Sequence, residues 1–200
     1  MHRRSMPNLQ LSLLRRGFLS KALGLLSVLG MVAAQVNQGA GGESSLAEYK
    51  VKALFLFNFA KYVEWPPEAF ASADSPIVIG IIGENRFGNH LAKAVEGKSI
   101  SGRSIVVRQI DKEDALLSCQ ILFISGSEKA RLPQILDLVK TRPILTVSEI
   151  ENFTQRGGAI GFVKKEERIR LEIDLEAAQR ARLQLSSKLL SVADSVRGKP

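Results

Sequence analysis

The chain has 200 residues, 45% of them hydrophobic and 24% charged, which suits one globular domain with a sizeable core and excludes a disordered or collagenous chain. A single cysteine, Cys119, excludes a disulfide framework, and no apolar run of about 18 residues follows residue 40, which excludes a polytopic membrane protein. The formal charge of +8 raises nucleic acid or an anionic surface as a partner, but most of that charge sits in a leader.

Residues 1–34 hold Arg3, Arg4, Arg15, Arg16 and Lys21 with no acid, followed by the apolar stretch Ala22 to Ala34. A basic region, a short apolar core and small residues together read as a secretory signal. Val32 and Ala34 occupy the minus-three and minus-one positions for cleavage before Gln35. Subtracting the five leader charges from +8 leaves +3 for the remainder, so the basic excess belongs mainly to export. Arg15-Arg16-Gly17-Phe18-Leu19-Ser20-Lys21 is similar to a twin-arginine signal, with the general secretory route preferred. An uncleaved anchor over Phe18 to Val36 is the alternative, and Lys21 inside it argues against it. Residues 35–45, polar and glycine-rich, are expected to be a flexible segment before a domain over 46–194, and 195–200 a disordered tail.

Glu48 to Trp65 lacks glycine and proline until Pro66-Pro67, and its length predicts a first helix. Lys50, Lys61 and Glu64 share a face with Leu54 and Phe57, so the helix is apolar nearly all round. Either it is covered on two sides, the preferred reading, or Leu54 and Phe57 face something outside the domain. Pro76 to Ile82 is a β-branched run of the kind buried on both faces of a sheet. Helical spacing follows over Phe87 to Val95, then strands over Ile105 to Ile110 and Ile121 to Ser125. Glu128 to Lys140 reads as a helix despite Pro133, and Ile144 to Val147 as a fourth strand. Ala159 to Lys164 and Arg168 to Asp174 alternate around the polar turn Lys165-Glu166-Glu167, predicting an antiparallel hairpin. Leu175 to Ala193 is helical in pattern, with Asp174 placed to cap it and Ser186 to restart it. The expected fold is α/β: a mostly parallel sheet with helices on both faces and an antiparallel C-terminal hairpin at one edge.

Catalytic chemistry is thinly supplied. Beyond the leader there is one histidine, His90, and one thiol, Cys119, and the patterns for zinc hydrolases, nucleophile elbows and phosphate loops are absent. His90 reads as a solvated side chain, and Cys119 as a small buried residue. Asp111, Glu113 and Asp114 with Lys112 read as a solvated loop in preference to a metal site. Lys164, Lys165, Arg168 and Arg170 are interleaved with Glu166, Glu167 and Glu172, so the hairpin is no nucleic-acid stripe. No enzyme activity, cofactor, metal or nucleic acid is expected.

Two segments carry a resemblance: Lys52-Ala53-Leu54-Phe55-Leu56-Phe57-Asn58-Phe59-Ala60-Lys61-Tyr62-Val63-Glu64-Trp65-Pro66, and Arg168-Ile169-Arg170-Leu171-Glu172-Ile173-Asp174-Leu175 followed by Leu185-Ser186-Ser187-Lys188-Leu189-Leu190. With Ile144 to Ser148 and Gly157-Gly158 they resemble the YfiR-like family of periplasmic proteins over Leu46 to Ala193. The resemblance implies a periplasmic repressor that binds the sensor domain of an inner-membrane diguanylate cyclase and lowers cyclic di-GMP, or one acting with a histidine kinase. A homodimer stays open. Arg182 stands where relatives commonly have glycine, which implies a strained or continuous helix there, and Asp174 where asparagine is usual. Cysteine pairs found in some relatives are missing, so Cys119 could pair only between chains.

Two surfaces are expected to bind the partner: Leu54, Phe57, Lys61 and Trp65 on the first helix, and Arg168, Arg170 and Glu172 on the hairpin. The bland readings are core aromatics for Trp65 and its neighbours, backbone satisfaction for Asn58, and edge-strand charges for Arg170 and Glu172. The competing hypothesis is a small-molecule sensor or an unrecognised enzyme. Its ligand would lie at the carboxyl ends of the parallel strands, near Gly83, Glu84, Asn85, Ser125, Gly126 and Ser127.

Overall fold

The computed structural model describes residues 45–198. The leader, its cleavage site and residues 35–44 of the expected flexible segment lie outside them. Helix α1 spans residues 45–62 and buries Tyr49, Ala53, Leu56, Phe59 and Ala60, the i, i+4, i+7 stripe of one helical face. It ends earlier than the sequence pattern predicts, because Val63–Glu64 turns extended as β1 and pairs antiparallel with β9 (Gln184–Leu185). Glu64 therefore leaves the helical face assigned to it.

The strands β2 (Ile77–Ile82), β3 (Ser99–Ile100), β4 (Arg103–Ile110), β5 (Ile121–Ile124), β6 (Leu145–Ser148), β7 (Ile160–Lys165), β8 (Arg168–Asp174) and β10 (Ser195–Arg197) form one sheet. Its order is β10-β8-β7-β6-β5-β2-β4-β3. The pairings β2 with β4, β2 with β5, β5 with β6, β6 with β7 and β8 with β10 are parallel; β3 with β4 and β7 with β8 are antiparallel. The sheet is mixed and mostly parallel, as expected.

Alternation along β5 shows the two layers. Ile121 and Phe123 join a cluster with α1, α2 (His90–Val95), α5 (Leu175–Arg180) and α6 (Ser187–Leu190). Leu122 and Ile124 join a second cluster with α3 (Glu113–Leu116) and α4 (Leu132–Val139). Pro133 sits in the first turn of α4, where its missing N–H costs nothing.

Three differences from the sequence reading have local causes. The hairpin is not at the sheet edge, because Ser195–Arg197, placed in the expected disordered tail, runs parallel to Glu172–Asp174 as β10. All three β10 residues are exposed, so backbone hydrogen bonds alone define the strand and no burial pattern marks it. The hairpin turn is Glu166-Glu167, with both residues at positive φ (49° and 59°), the conformation of a two-residue primed turn. The last helical stretch is broken: α5 ends at Arg180, and Arg182 takes φ 57° before β9 begins. The left-handed residue that glycine would accommodate is present, with arginine in it. Asp174 caps α5, accepting from the Ala177 amide at 3.1 Å, and Ser186 caps α6, accepting from the Leu189 amide at 3.3 Å. Gly158 is needed for close approach, since a Cβ there would lie 2.1 Å from the Phe153 ring.

Candidate functional site

Helix α1 lies along the sheet and presents its free side outward. Leu46, Lys50, Val51, Leu54 and Lys61 are exposed, with Leu54 at 47%. The preferred reading of a helix covered on two sides therefore fails at Leu54, which the domain leaves uncovered. Phe57 is half-buried against the core, and the Lys98 ammonium stands 4.3 Å from its ring centroid. Trp65 also packs against the core; its Nε1 donates to the Gln120 carbonyl at 3.1 Å. Gln120 is buried and further occupied: its Oε1 accepts from the Val78 amide and its Nε2 donates to the Ala69 carbonyl. Lys61 and Trp65 share an open groove of about 530 Å³ with Phe70 and Arg103. There the Arg103 guanidinium stacks 3.8 Å from the Phe70 centroid and donates to the Ser75 carbonyl at 2.7 Å.

On the hairpin, Arg168 is exposed, while Arg170 and Glu172 are half-buried. In register, Arg170 lies opposite Val163, and Glu172 opposite Gly161 and Ser195. Arg170 lines a second groove, of about 570 Å³, with Phe55, Asn58 and Tyr62 of α1 and Lys188 of α6. The fold thus brings Arg170 to α1, but to the Phe55–Asn58–Tyr62 side; Lys61 and Trp65 look into the other groove. The two expected surfaces flank one helix and do not merge.

The titratable groups weighed from sequence do not converge. Cys119 is buried, donates from Sγ to the Leu116 carbonyl, and has its thiol pKa pushed up to about 12 by burial. Its burial also removes it from pairing between folded chains. His90 is half-buried at the start of α2. Glu113 pairs with Arg131 at 3.1 Å. Among the described residues no group of three or more His, Cys, Asp or Glu could hold a metal ion, and no helix is long and apolar enough to cross a membrane.

What the sequence reading missed is a buried charge cluster. Lys52 is 2% exposed, yet its Nζ lies 2.5 Å from Glu48 Oε1 and 2.5 Å from Glu149 Oε2. The Tyr49 hydroxyl donates to Glu149 at 2.7 Å, and its pKa is raised by burial first and then by the hydrogen bond and charge of Glu149. The i, i+4 spacing of Glu48 and Lys52 on an apolar helix was the available signal. The cluster joins α1 to the segment after β6 and forms one wall of an open cavity of about 380 Å³. The cavity sits at the carboxyl ends of β2, β5 and β6, with Arg86, Gly126, Lys129, Glu149 and Glu151 on the loops that leave them. Of the strand-exit residues expected to line a crevice, Gly126 does so. The Glu84 amide donates to Ser127 Oγ at 2.9 Å, and a Cβ on Gly83 would lie 2.4 Å from that oxygen, so the β2 and β5 exits are laced together.

Among curated proteins none matches this sequence. Similar solved structures include a conserved domain protein from Vibrio cholerae O1 biovar El Tor, 12% identical with a TM-score of 0.43, the match covering 60% of this chain and 54% of that one. Another is the ABC domain from Streptococcus pneumonia in complex with L-Trp, 9% identical with a TM-score of 0.45, covering 60% and 55%. The chain spans about half the length of each, and likenesses this distant carry no argument. The sequence pattern of the YfiR/HmsC-like family (DUF4154), by contrast, matches residues 49–194, from the Tyr49 of the buried cluster to the residue before β10. The chain belongs to the YfiR/HmsC-like family, a family of periplasmic regulators of cyclic di-GMP signalling and not of enzymes.

Proposed function

We propose that this protein is exported by its N-terminal signal sequence to the periplasm. There it docks on the sensor domain of a membrane diguanylate cyclase, holds that enzyme inactive and lowers cyclic di-GMP. Family membership supports the regulatory role. The observation that carries the docking reading is the outer side of α1, where Leu54 stands 47% exposed between Lys50 and Lys61. An apolar side chain exposed to water gains in proportion to the area a partner covers. Two separate surfaces do the docking: Leu54, Phe57 and Lys61, with Trp65 holding the end of the helix in place, and on the hairpin Arg168, Arg170 and Glu172, of which Arg170 lines the second groove. Repression requires that one conformation of the sensor domain be bound better than another, because equal affinity for both shifts nothing.

The test is the affinity of the purified protein for the periplasmic domain of the cyclase, measured for wild type, Leu54→Glu and Arg170→Glu with circular dichroism as a folding control. Loss of a docking anchor weakens binding by roughly tenfold or more. Unchanged affinity in both folded variants rejects these surfaces.

A further inference from the structure

We propose that the outer side of α1 takes an acidic partner: a segment of the docked sensor domain that carries apolar side chains flanked by aspartate or glutamate, as an acidic amphipathic helix does. The inference rests on the docking reading and adds the chemistry of the docked surface. Three large apolar residues stand exposed on this one helix, Leu46 at 56%, Val51 at 41% and Leu54 at 47%. Lys50 follows Leu46 by one turn and precedes Leu54 by one turn, and Leu54 follows Val51 by one turn, so apolar and basic side chains are neighbours on one face. Lys61 lies two turns beyond Leu54 on that face.

The sign of the partner follows from the charges around this stripe. Lys50 and Lys61 have no ion pair among the described residues, and the acid of α1, Glu48, is turned to Lys52. Beside the helix, Lys93 of α2 and Lys98 just after it stand against Glu96, and Glu64 of β1 lines the groove next to Lys61. Lys50, Lys61, Lys93 and Lys98 against Glu64 and Glu96 leave an excess of two positive charges. The Lys98 ammonium, 4.3 Å from the Phe57 ring centroid, brings one of these cations to the edge of the α1 face.

The same charges decide against a second copy of this chain. A two-fold contact through this face sets Lys50 and Lys61 of one copy against the identical lysines of the other, and the outer side of α1 holds no acid to answer them. A partner that brings carboxylates gains from both features: apolar area leaves water, and opposite charges at the rim speed the encounter.

The test follows association of the full chain with the purified periplasmic domain of the cyclase, between about 50 and about 500 mM sodium chloride, with circular dichroism as a folding control. The expected on-rate falls roughly tenfold across that range. Lys50→Glu with Lys61→Glu, both exposed positions, weakens binding roughly tenfold and flattens the salt dependence, while Lys50→Arg with Lys61→Arg binds as wild type does. Binding that is flat in salt and intact in the charge-reversed variant overturns the inference and leaves docking standing. No binding at any ionic strength overturns the docking reading and this inference with it. Sedimentation of the protein alone, and with vesicles of phosphatidylglycerol and phosphatidylcholine, separates the other occupants. Self-association or vesicle binding that Leu54→Glu abolishes overturns the inference, in favour of a second copy or of a lipid surface.

Discussion

Near the middle of α1 Lys52 reaches Glu48 and Glu149; beyond the carboxyl end of the helix Arg182 reaches Glu68. Both contacts tie distant parts of the chain, with Glu149 lying 97 residues from Lys52 and Glu68 lying 114 from Arg182. They differ in water. Lys52 is sealed, whereas both members of the Arg182 pair are exposed, where solvent and salt screen the attraction. A buried ammonium is tolerable only while its partners remain, so the first contact fixes where α1 can sit. An exposed pair is dispensable, and Arg182 carries the cost of a left-handed backbone as well.

The sharpest way to break this contrast is Lys52→Ala, which leaves the half-buried Glu149 with the Tyr49 hydroxyl but no cation and is expected to lower unfolding free energy in urea by about 3 kcal/mol. A drop below about 1 kcal/mol would make the cluster no more than a surface pair. The double variant Lys52→Met, Glu149→Gln should recover most of the loss, because the carboxylate then left without a cation is Glu48, the more exposed of the two.

Alkaline pH probes burial on the opposite face. The Cys119 thiol has an ordinary pKa of 9.0 and a folded one of about 12, so above pH 9 the unfolded chain releases a proton that the folded one keeps. Stability is complete below pH 9 and falls as pH rises toward 12, by about 2 kcal/mol near pH 10.5. Tyr49, also raised by burial, pulls in the same direction at higher pH. Cys119→Ala should flatten the decline between about pH 8.5 and 10.5, and an unaltered slope would mean the thiol is not the group responsible.

Asp174→Ala tests a buried contact without an ion pair. Losing the cap on the Ala177 amide should cost about 1 kcal/mol in the same urea assay, against roughly 0–0.5 kcal/mol for Glu68→Ala. The smallest effect is the most pointed. Arg182→Gly gives up the exposed pair but relieves the positive φ, for a net gain of roughly 0.5 kcal/mol, while Arg182→Ala loses the pair and keeps the strain, for a loss of similar size. Equal effects of the two substitutions would remove backbone strain from the account.

Much of the fold is readable in sequence where burial writes a pattern. The short apolar runs of β2, β5 and β6 are buried throughout, and on β8 Leu171 and Ile173 are buried while Arg170 and Glu172 are only half-buried. Asp174 and Ser186 are caps by residue type, and both serve as such. The elements that escape are those defined by backbone pairing alone: β1 with β9, two residues each, and β10, whose three residues are all exposed. At the candidate sites, an apolar pattern nearly all round α1 favoured a covered helix and left the exposure of Leu54 as the lesser alternative, and the division of Lys61 from Arg170 between two grooves depends on which side of α1 each neighbour occupies. The Lys52–Glu149 contact joins an early helix to a loop after the sixth strand, and no local spacing contains that distance.

The sealing of Lys52 also has a chemical consequence. Amine-reactive reagents acylate lysines that meet solvent, and among the described residues Lys52 is the buried one. In the native protein, position 52 should therefore stay unlabelled while its neighbours Lys50 and Lys61 are modified. Appearance of the mass tag at that position would then clock the lifting of α1 away from Glu149, residue by residue and without any engineered reporter.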